Sequence, residues 1–428
     1  MNAIVRIFAL VAGLACFSIA SPGYAQKTDP ATLARFMQKY QSYKSSFARF
    51  RFTINPRQLA DPGVNFWAGQ LAATDASIMG RPNDALFYFP IASPGPKELP
   101  DPAHYNAENA RQWIAAQAPQ FRIVMINEAH HVPQTRLLTI SLLKPLWNAG
   151  FRYLALEALN NNGSNPVPSG FPDFNTGEYT KEPVMAELVR EAMKIGYTLV
   201  PYEADDRYLS QASIRESTQA RNLQKFLAAH PDAKVLLHAG YSHTAKSDMV
   251  RISGAATMAT NLIDATKARV LSIDQVALTP LSFSSTGVAD AQMQLAKSFK
   301  ASEPTVFINK ANGSAWSEHP GAYDASILLP PSPTDVIRPD WLSLDGQRYK
   351  VWTDSKPCGF HFPCLIQAFY SGDPDQAIPA DQVALMVEAD TNTPLFLRAG
   401  YYRLRYITEE DQKIIERQFI VKPSGNNH

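Results

Sequence analysis

Short apolar runs alternate with amphipathic stretches over residues 120–280. The apolar runs are "FRIVMIN", "FRYLALEAL", "YTLVPYEA", "AKVLLHAGYSH" and "ARVLSIDQV". Helices are expected between them, over residues 133–147, 182–196, 213–230 and 255–267, and Gly196 is a suitable helix end. Continuous apolar strands that alternate with helices are typical of a parallel sheet with helices on both faces. The pattern therefore predicts an α/β fold.

The two ends of the chain have different patterns. Residues 26–115 are expected to be partly helical, in "DPATLARFMQKYQSYKSSFARFRF" and again in "NAENARQWIAAQA" (106–118). After residue 339, short runs such as "CLIQAFY", "VALMVEA" and "YYRLRYI" are separated by turn residues. These runs predict a small all-β, sandwich-like domain. We expect an α/β domain with an N-terminal helical extension at 26–338 and a C-terminal β domain at 339–428.

The first residues, "MNAIVRIFALVAGLACFSIASPGYAQ", combine one basic residue, an apolar run and small residues. This pattern predicts a signal peptide over residues 1–25, cleaved after Ala25. The apolar run is too short and too interrupted for a membrane span. Gly13 stands where a lipoprotein signal ending at Cys16 would have an aliphatic residue, which disfavours a lipid anchor. The protein is expected to be exported, periplasmic or secreted, with no membrane segment after cleavage.

Charge and cysteine content narrow the possible partners. The formal net charge of +1 gives no basic surface for nucleic acid, so we expect a small-molecule or peptide substrate. Cys358 and Cys364 flank "GFHFP", and an exported protein meets an oxidising compartment. A disulfide between them is predicted. The alternative, a metal site that includes His361, does not match a common zinc spacing.

Each predicted strand of the parallel sheet is followed by polar side chains. In chain order they are Glu128, His130 and His131; Glu157; Tyr202 and Glu203; His238, Tyr241 and His243; and Asp274. Ligands of open α/β sheets bind at the carboxyl ends of the strands, so we expect one polar rim that forms a site. An extended strand would place Glu128 and His130 on one face and His131 on the other, but Pro133 favours a turn. Both histidines therefore remain candidates.

Carboxylates and imidazoles at one edge suit two kinds of chemistry. They can bind a divalent metal that activates water, or act without metal as base and orienting acid. The nucleophile motif GxSxG does not occur, and no cysteine lies in residues 120–280. The phosphate-binding patterns GxGxxG and GxxxxGK[ST] do not occur either. Hydrolysis by activated water is therefore the favoured chemistry.

Four motifs together resemble a superfamily that includes the Tiki/TraB proteases, the ChaN-like haem-binding lipoproteins and the erythromycin esterases. "NEAHHVP" resembles its first motif, and "HAGYSH" resembles its Gly-x-x-His motif, at Gly240 and His243. "YLALEAL" resembles the strand that ends in an acid, here Glu157, and "QARNL" resembles the helix that carries an arginine, here Arg221. The resemblance covers about residues 120–280.

The first motif departs from the superfamily pattern in one respect and is ambiguous in another. Asn127 stands where many relatives have glycine. His131, before Val132 and Pro133, resembles the Tiki version, whereas Glu128-x-His130 resembles the ChaN-like version. Metal, haem and metal-free chemistry all remain open at this point.

The resemblance and the polar rim imply an exported hydrolase, of an esterase or metallopeptidase-like kind. The candidate catalytic residues are Glu128, His131, Glu157 and His243, with His131, His243 and Glu128 as candidate metal ligands. The candidate substrate contacts are His130, Tyr202, Glu203, Arg221, His238 and Tyr241. The alternative is a non-catalytic ChaN-like protein that binds haem or another small ligand, with Tyr202 or Tyr241 as axial ligand. A third possibility is an inactive scaffold whose β domain mediates contacts.

Overall fold

The structure is a computed structural model that describes residues 29–161, 165–205, 211–408 and 414–423. The predicted signal peptide lies outside the described residues, so its assignment stays a prediction. Within the described ranges, no helix has both the length and the apolar character needed to cross a membrane.

The secondary structure follows the predicted alternation in the middle of the chain. The helices are α1 Pro30–Ser42, α2 Ser46–Thr53, α3 Pro56–Leu59, α4 Pro62–Ile78, α5 Pro82–Tyr88, α6 Ala110–Gln117, α7 Leu137–Asn148, α8 Pro183–Ile195, α9 Ala212–Ala229, α10 Met258–Thr266 and α11 Thr286–Phe299. The strands are β1 Tyr105–Asn109, β2 Ile123–Glu128, β3 Tyr153–Leu156, β4 Thr198–Pro201, β5 Val235–Gly240, β6 Arg251–Ile252, β7 Ala255–Ala256, β8 Val270–Asp274, β9 Thr305–Asn309, β10 Ala325–Ser326, β11 Tyr349–Val351, β12 Cys364–Tyr370, β13 Asp381–Leu385, β14 Leu395–Leu397, β15 Gly400–Thr408 and β16 Ile414–Val421.

A six-stranded parallel sheet forms the centre, in the order β10-β8-β2-β5-β3-β4. Every residue of β2 and β5 is buried, as expected for strands covered on both faces. One face packs on α7 and α8 through residues such as Leu138 and Val184. The other face packs on α9 and α10 through residues such as Leu223 and Leu262. The predicted α/β fold is confirmed.

Local signals explain where the central helices begin and end. The side chain of Glu182 accepts hydrogen bonds from the backbone N–H groups of Val184 and Met185, and so caps the first turn of α8. Gly196 ends α8 with a φ of 114°, as predicted from the sequence. A Cβ atom at Gly196 would lie 2.9 Å from the ring of Trp147, so space as well as backbone conformation requires glycine here.

The helix predicted over residues 106–118 is wrong in its first part. Residues Tyr105–Asn109 form β1, which pairs antiparallel with β9. The helix begins only at Ala110, where the side chain of Asn109 accepts from the N–H of Gln112. The partner strand begins at Thr305, so the helical pattern of the segment was overridden by a distant pairing.

The C-terminal region is all-β, as predicted. It contains a four-stranded antiparallel sheet, β13-β12-β15-β16, and the antiparallel pair β11-β14. Cys358 and Cys364 form the predicted disulfide and lie in the apolar core between these strands. Strand β14 was not predicted, because "LFL" is too short to stand out in the sequence.

The N-terminal helices cover the outer edge of the C-terminal sheet. The N–H of Ala384 in β13 donates to the carbonyl of Met79 at 2.9 Å. Arg338 donates to the carbonyls of Gly80 and Gln382, at 2.8 Å and 3.1 Å. An exposed strand edge is thereby covered from within the chain. The domain boundary at residue 338 remains a prediction.

Candidate functional site

Two groups of buried side chains meet at the carboxyl ends of β2, β3 and β5. We call the first the Glu128 group; it contains Glu128, His130, Arg136, Glu182 and His238. We call the second the Glu157 group; it contains Glu157, Glu203, Arg215, Glu216 and His243. The polar rim predicted from the strand ends is therefore present as contacts between side chains.

Glu128 ends β2 and is the centre of the first group. Its Oε1 atom lies 2.7 Å from Nδ1 of His130, and its Oε2 atom accepts from Nε of Arg136 at 2.6 Å. Nε2 of His238 lies 3.4 Å from the same Oε2 atom. Burial alone would raise the pKa of Glu128, but Arg136 and the two histidines hold that pKa well below its ordinary value. Glu128 is therefore a buried, ionised carboxylate.

The ring of His130 is held by two aromatic rings and at one nitrogen. It stacks on Tyr179, with ring centroids 3.8 Å apart, and meets Tyr241 edge-on at 5.1 Å. Glu128 is an acceptor, so Nδ1 of His130 carries the proton of this contact. Nε2 is buried and has no hydrogen-bond partner among the described residues. An imidazole oriented in this way presents a basic lone pair on Nε2.

Arg136 holds the first group together and was not predicted from the sequence. It is completely buried at the end of the 3₁₀ turn Pro133–Arg136. Besides Glu128, it binds Oε2 of Glu182 at 2.5 Å and the carbonyl of His130 at 2.7 Å. A buried guanidinium needs such acceptors, and here they fix both the carboxylate and the loop that carries His130. The sequence feature that could have pointed to a role for Arg136 is its position in "HHVPQTR", shortly after the two histidines.

Glu157 follows β3 and is the centre of the second group. Its Oε1 atom lies 2.5 Å from Arg215 and 3.2 Å from Nε2 of His243, and its Oε2 atom accepts from the N–H of Gly240 at 2.5 Å. Burial would raise the pKa of Glu157, but His243 and Arg215 lower it below its ordinary value. Nδ1 of His243 lies 2.7 Å from Glu216, so the imidazole is placed between two carboxylates.

Helix α9 and the end of β4 complete the second group. Arg215 also binds Oε2 of Glu203 at 2.6 Å, and Gln219 donates to Glu203 at 2.9 Å. Tyr202 is fully buried, and its hydroxyl has no hydrogen-bond partner within the described ranges. Burial, Glu157 and Glu203 raise the pKa of Tyr202 well above its ordinary value, so its hydroxyl stays protonated.

Gly240 brings the two groups into contact. A Cβ atom at this position would lie 2.3 Å from Nε2 of His130 and 3.1 Å from Oε2 of Glu157. Its φ of −70° is ordinary for any residue, so the requirement for glycine is one of space. The glycine of "HAGYSH" therefore allows the imidazole of His130 and the carboxylate of Glu157 to approach the same point.

The structure does not place His131 in either group, which corrects its predicted roles as catalytic residue and metal ligand. Its Nε2 atom lies 2.7 Å from the carbonyl of Leu281, and its Nδ1 atom lies 3.2 Å from the hydroxyl of Tyr241. Its ring stacks on Phe89. Burial lowers the pKa of His131 to about 3, so the ring is neutral. Of the two adjacent histidines, His130 joins Glu128, because the chain turns directly after β2.

Two further predictions are corrected by the geometry. Arg221 is exposed on α9, and the arginine that reaches the carboxylates is Arg215, on the inner face of the same helix. Among the described residues, no group of three or more His, Cys, Asp or Glu side chains is arranged to hold a metal ion. The predicted set of His131, His243 and Glu128 is not assembled. The physical reason is that arginine, rather than a metal, balances the carboxylates at both centres.

Comparison with known proteins gives limited information. No family model matches the chain, and no curated protein matches it. The chain is similar to the type III effector HopBA1, with 12% identity, a TM-score of 0.28 and coverage of 40% of this chain and 84% of that chain. It is also similar to ChaN of Campylobacter jejuni, described as binding haem cofacially, with 12% identity, a TM-score of 0.29 and coverage of 41% and 92%. Fold and site define an α/β protein with a buried Glu–His–Arg centre at its strand ends.

Proposed function

We propose that the protein is an exported hydrolase that cleaves an ester by activating water, with His130 as the general base. The observation that carries the proposal is the buried Nε2 atom of His130, which has no partner in the described part of the chain while Nδ1 is held by Glu128. A buried polar atom without a partner is uncommon and calls for an explanation. A base whose second nitrogen is fixed by a carboxylate is a recurrent arrangement in hydrolysis.

The attacking water lies between Nε2 of His130 and Oε2 of Glu157, which approach the same point at Gly240. Two acceptors orient one water, so its oxygen lone pair is directed at the substrate carbonyl. His130 takes the proton as the carbon–oxygen bond forms, and Glu128 stabilises the resulting imidazolium. Glu128 stays ionised throughout, because Arg136 lowers its pKa. The resemblance of "NEAHHVP" and "HAGYSH" to the erythromycin esterases supports an ester as substrate.

The proposed chemistry does not require a metal. Arg136 and Arg215 contact the carboxylate oxygens that a metal would use, at 2.6 Å from Glu128 and 2.5 Å from Glu157. Replacing a guanidinium by a cation at either carboxylate would leave the buried arginine unpaired, which is costly. Treatment with a chelator should therefore leave the activity unchanged.

Haem is the alternative that the ChaN-like motif suggests, and the described residues do not fit it. Haem needs an apolar slot beside its axial ligand, whereas the ring of His130 lies between Glu128 and Glu157, two carboxylates whose pKa values are lowered. A tyrosinate ligand at Tyr202 is opposed by burial and by Glu157 and Glu203, which raise its pKa. We derive no function through haem.

Export is part of the proposal. It is supported by the signal-like pattern of residues 1–25 and by the disulfide between Cys358 and Cys364, since disulfides persist in oxidising compartments. Fractionation of cells that produce the full chain checks it: the product should be exported and should begin after Ala25.

The activity is tested with purified, chelator-treated protein on a panel of 4-nitrophenyl and alkyl esters. The expected result is turnover by the wild type and by His104→Ala, a variant at an exposed histidine outside both groups. His130→Ala should lose roughly 100-fold or more in kcat/KM, the usual contribution of a general base. Activity that requires an added metal, or that survives His130→Ala, would refute the mechanism.

A further inference from the structure

A further carboxylate–imidazole pair lies at the same edge of the sheet, outside the Glu128 and Glu157 groups. Asp274 ends β8, and its Oδ2 atom is 3.6 Å from Nδ1 of His319. Its other oxygen accepts from Asn127 at 2.8 Å and from the backbone N–H groups of Val276 and Ala277, at 2.9 Å and 3.1 Å. The carboxylate is therefore fixed by three donors and can orient the imidazole.

The loop that carries His319 is held against the sheet. The carbonyl of His319 accepts from the N–H groups of Ala322 and Tyr323, at 3.0 Å and 3.1 Å, which closes a tight turn. Directly after it, Asp324 binds Lys246 at 2.7 Å and the N–H of Ser272 at 2.7 Å. The imidazole is thus presented from an anchored turn rather than from a free loop.

The solvent exposure of His319 distinguishes it from the histidines of the first two groups. Its side chain is 42% exposed, whereas those of His130, His238 and His243 are at most 2% exposed. A proton donor for a departing group must be reachable by that group and must exchange its proton with solvent after each turnover. Of these four histidines, His319 meets both requirements.

The pair adjoins the proposed catalytic centre through two residues. Asn127, which binds Asp274, directly precedes Glu128 in β2. Tyr323, whose ring centroid is 6.4 Å from that of His319, donates from its hydroxyl to the carbonyl of Tyr241 at 3.4 Å. The ring of Tyr241 in turn meets His130 edge-on at 5.1 Å. His319 is therefore connected to the aromatic neighbour of His130 through Tyr323, which contacts the backbone of Tyr241.

We infer that His319 is the general acid of the hydrolysis and that the substrate is an alkyl ester, whose poor leaving group needs a proton. This inference rests on the proposed function. Water adds to the carbonyl carbon and gives its proton to Nε2 of His130. The carbon–oxygen bond to the alcohol then breaks, and the leaving oxygen takes the proton from Nε2 of His319. The acid and the alcohol are released, His130 returns its proton to solvent, and His319 regains one.

The charges around His319 favour the protonated donor. The carboxylate of Asp274, 3.6 Å from Nδ1, raises the pKa of His319 above its ordinary value and outweighs partial burial, and Glu318 acts in the same direction. Lys97 opposes them. Tyr323, the other titratable group packed on the ring, stays neutral because burial raises its pKa. The surroundings of His319 therefore favour its protonated form more than water would.

The test compares two esters of the same acid, one with 4-nitrophenol and one with a simple alcohol, in wild type, His319→Gln and His104→Gln. Nitrophenolate leaves without protonation, but an alkoxide does not. His319→Gln should therefore lose roughly 100-fold or more in kcat/KM on the alkyl ester and less than about 10-fold on the nitrophenyl ester. His104→Gln should match the wild type on both.

Each other result is informative. If His319→Gln lost the same factor in kcat/KM on both esters, His319 would have a structural role. That result, or an unchanged kcat/KM on both esters, would overturn this inference but not the proposed function. Wild-type turnover that is confined to the nitrophenyl ester would also overturn it, because an enzyme with a general acid cleaves the alkyl ester too. Absence of wild-type turnover on both esters would overturn the proposed function together with this inference.

Discussion

The Nδ1 atom of His130 lies 2.7 Å from Oε1 of Glu128, and both side chains are almost fully buried. The next residue, His131, has its two ring nitrogens at Leu281 and Tyr241 instead. One peptide unit thus separates a histidine that can act as a base from one that holds the fold. The predictions below follow from this difference and from the charges around it.

Arg136 should contribute more to stability than an ordinary arginine. Arg136→Met would remove the guanidinium that pairs with the buried carboxylates of Glu128 and Glu182, which costs about 3–5 kcal/mol. The matched control is Arg221→Met, at an exposed position on α9. The free energy of unfolding of Arg221→Met in urea should stay within about 0.5 kcal/mol of the wild-type value. Equal effects of the two variants would contradict the assigned role of Arg136.

Gly240→Ala should abolish activity with little loss of helix and sheet content. The added methyl group would lie 2.3 Å from the ring of His130, so the ring must move away from Glu157. We expect at least a roughly 100-fold loss in kcat/KM, since the base is displaced from the water that it activates. Gly372→Ala is the control, because nothing lies within 4 Å of a Cβ atom there. Full activity of Gly240→Ala would show that His130 is not the base.

Much of the site edge could be predicted from sequence. Glu128, Glu157 and His243 follow apolar runs, and parallel strands bring their carboxyl ends to one edge whatever the strand order. The disulfide followed from export and short spacing. These inferences need only local patterns and a general rule of topology, and the six-stranded sheet confirms the topology.

The partners within that edge could not be predicted. His131 binds the carbonyl of Leu281, a residue 150 positions away, and a backbone acceptor leaves no trace in the sequence. Arg215 and Arg221 lie on one helix, and only the packing of α9 on the sheet decides which of them faces Glu157. The same holds for β1, whose pairing with β9 overrode a helical pattern. Long-range packing rather than local preference decides such details.

Asp75 should make the protein less stable as the pH rises. Its carboxyl group is buried in α4 with Tyr40 as hydrogen-bond donor, and burial raises its pKa from 3.8 to about 7. A raised pKa in the folded state means that stability is full below pH 3.8 and is lost as the pH rises towards 7. Asp75→Asn removes this loss. Its stability advantage over wild type should grow by roughly 2–3 kcal/mol between pH 5 and pH 8. An advantage that does not change with pH would contradict the buried, neutral carboxyl.

His131 should have the opposite effect on stability. Burial lowers its pKa from 6.5 to about 3, so its contribution is full above pH 6.5 and is lost as the pH falls towards 3. Between pH 6.5 and pH 4, the free energy of unfolding should fall by roughly 3 kcal/mol more in wild type than in His131→Gln. Nitrogen NMR of labelled histidine should show the neutral ring, protonated at Nε2, throughout pH 5–8. A signal that titrates in this range would contradict the contact with Leu281.

The most direct measurement of the central claim is kcat/KM for ester hydrolysis in His130→Gln and His131→Gln, measured side by side. Both positions are buried and adjacent, so circular dichroism and urea unfolding can confirm that each variant is folded before rates are compared. The account predicts that folded His130→Gln loses roughly 100-fold or more, while folded His131→Gln stays within about 10-fold of wild type. A large loss in folded His131→Gln together with near-normal turnover in His130→Gln would contradict the account.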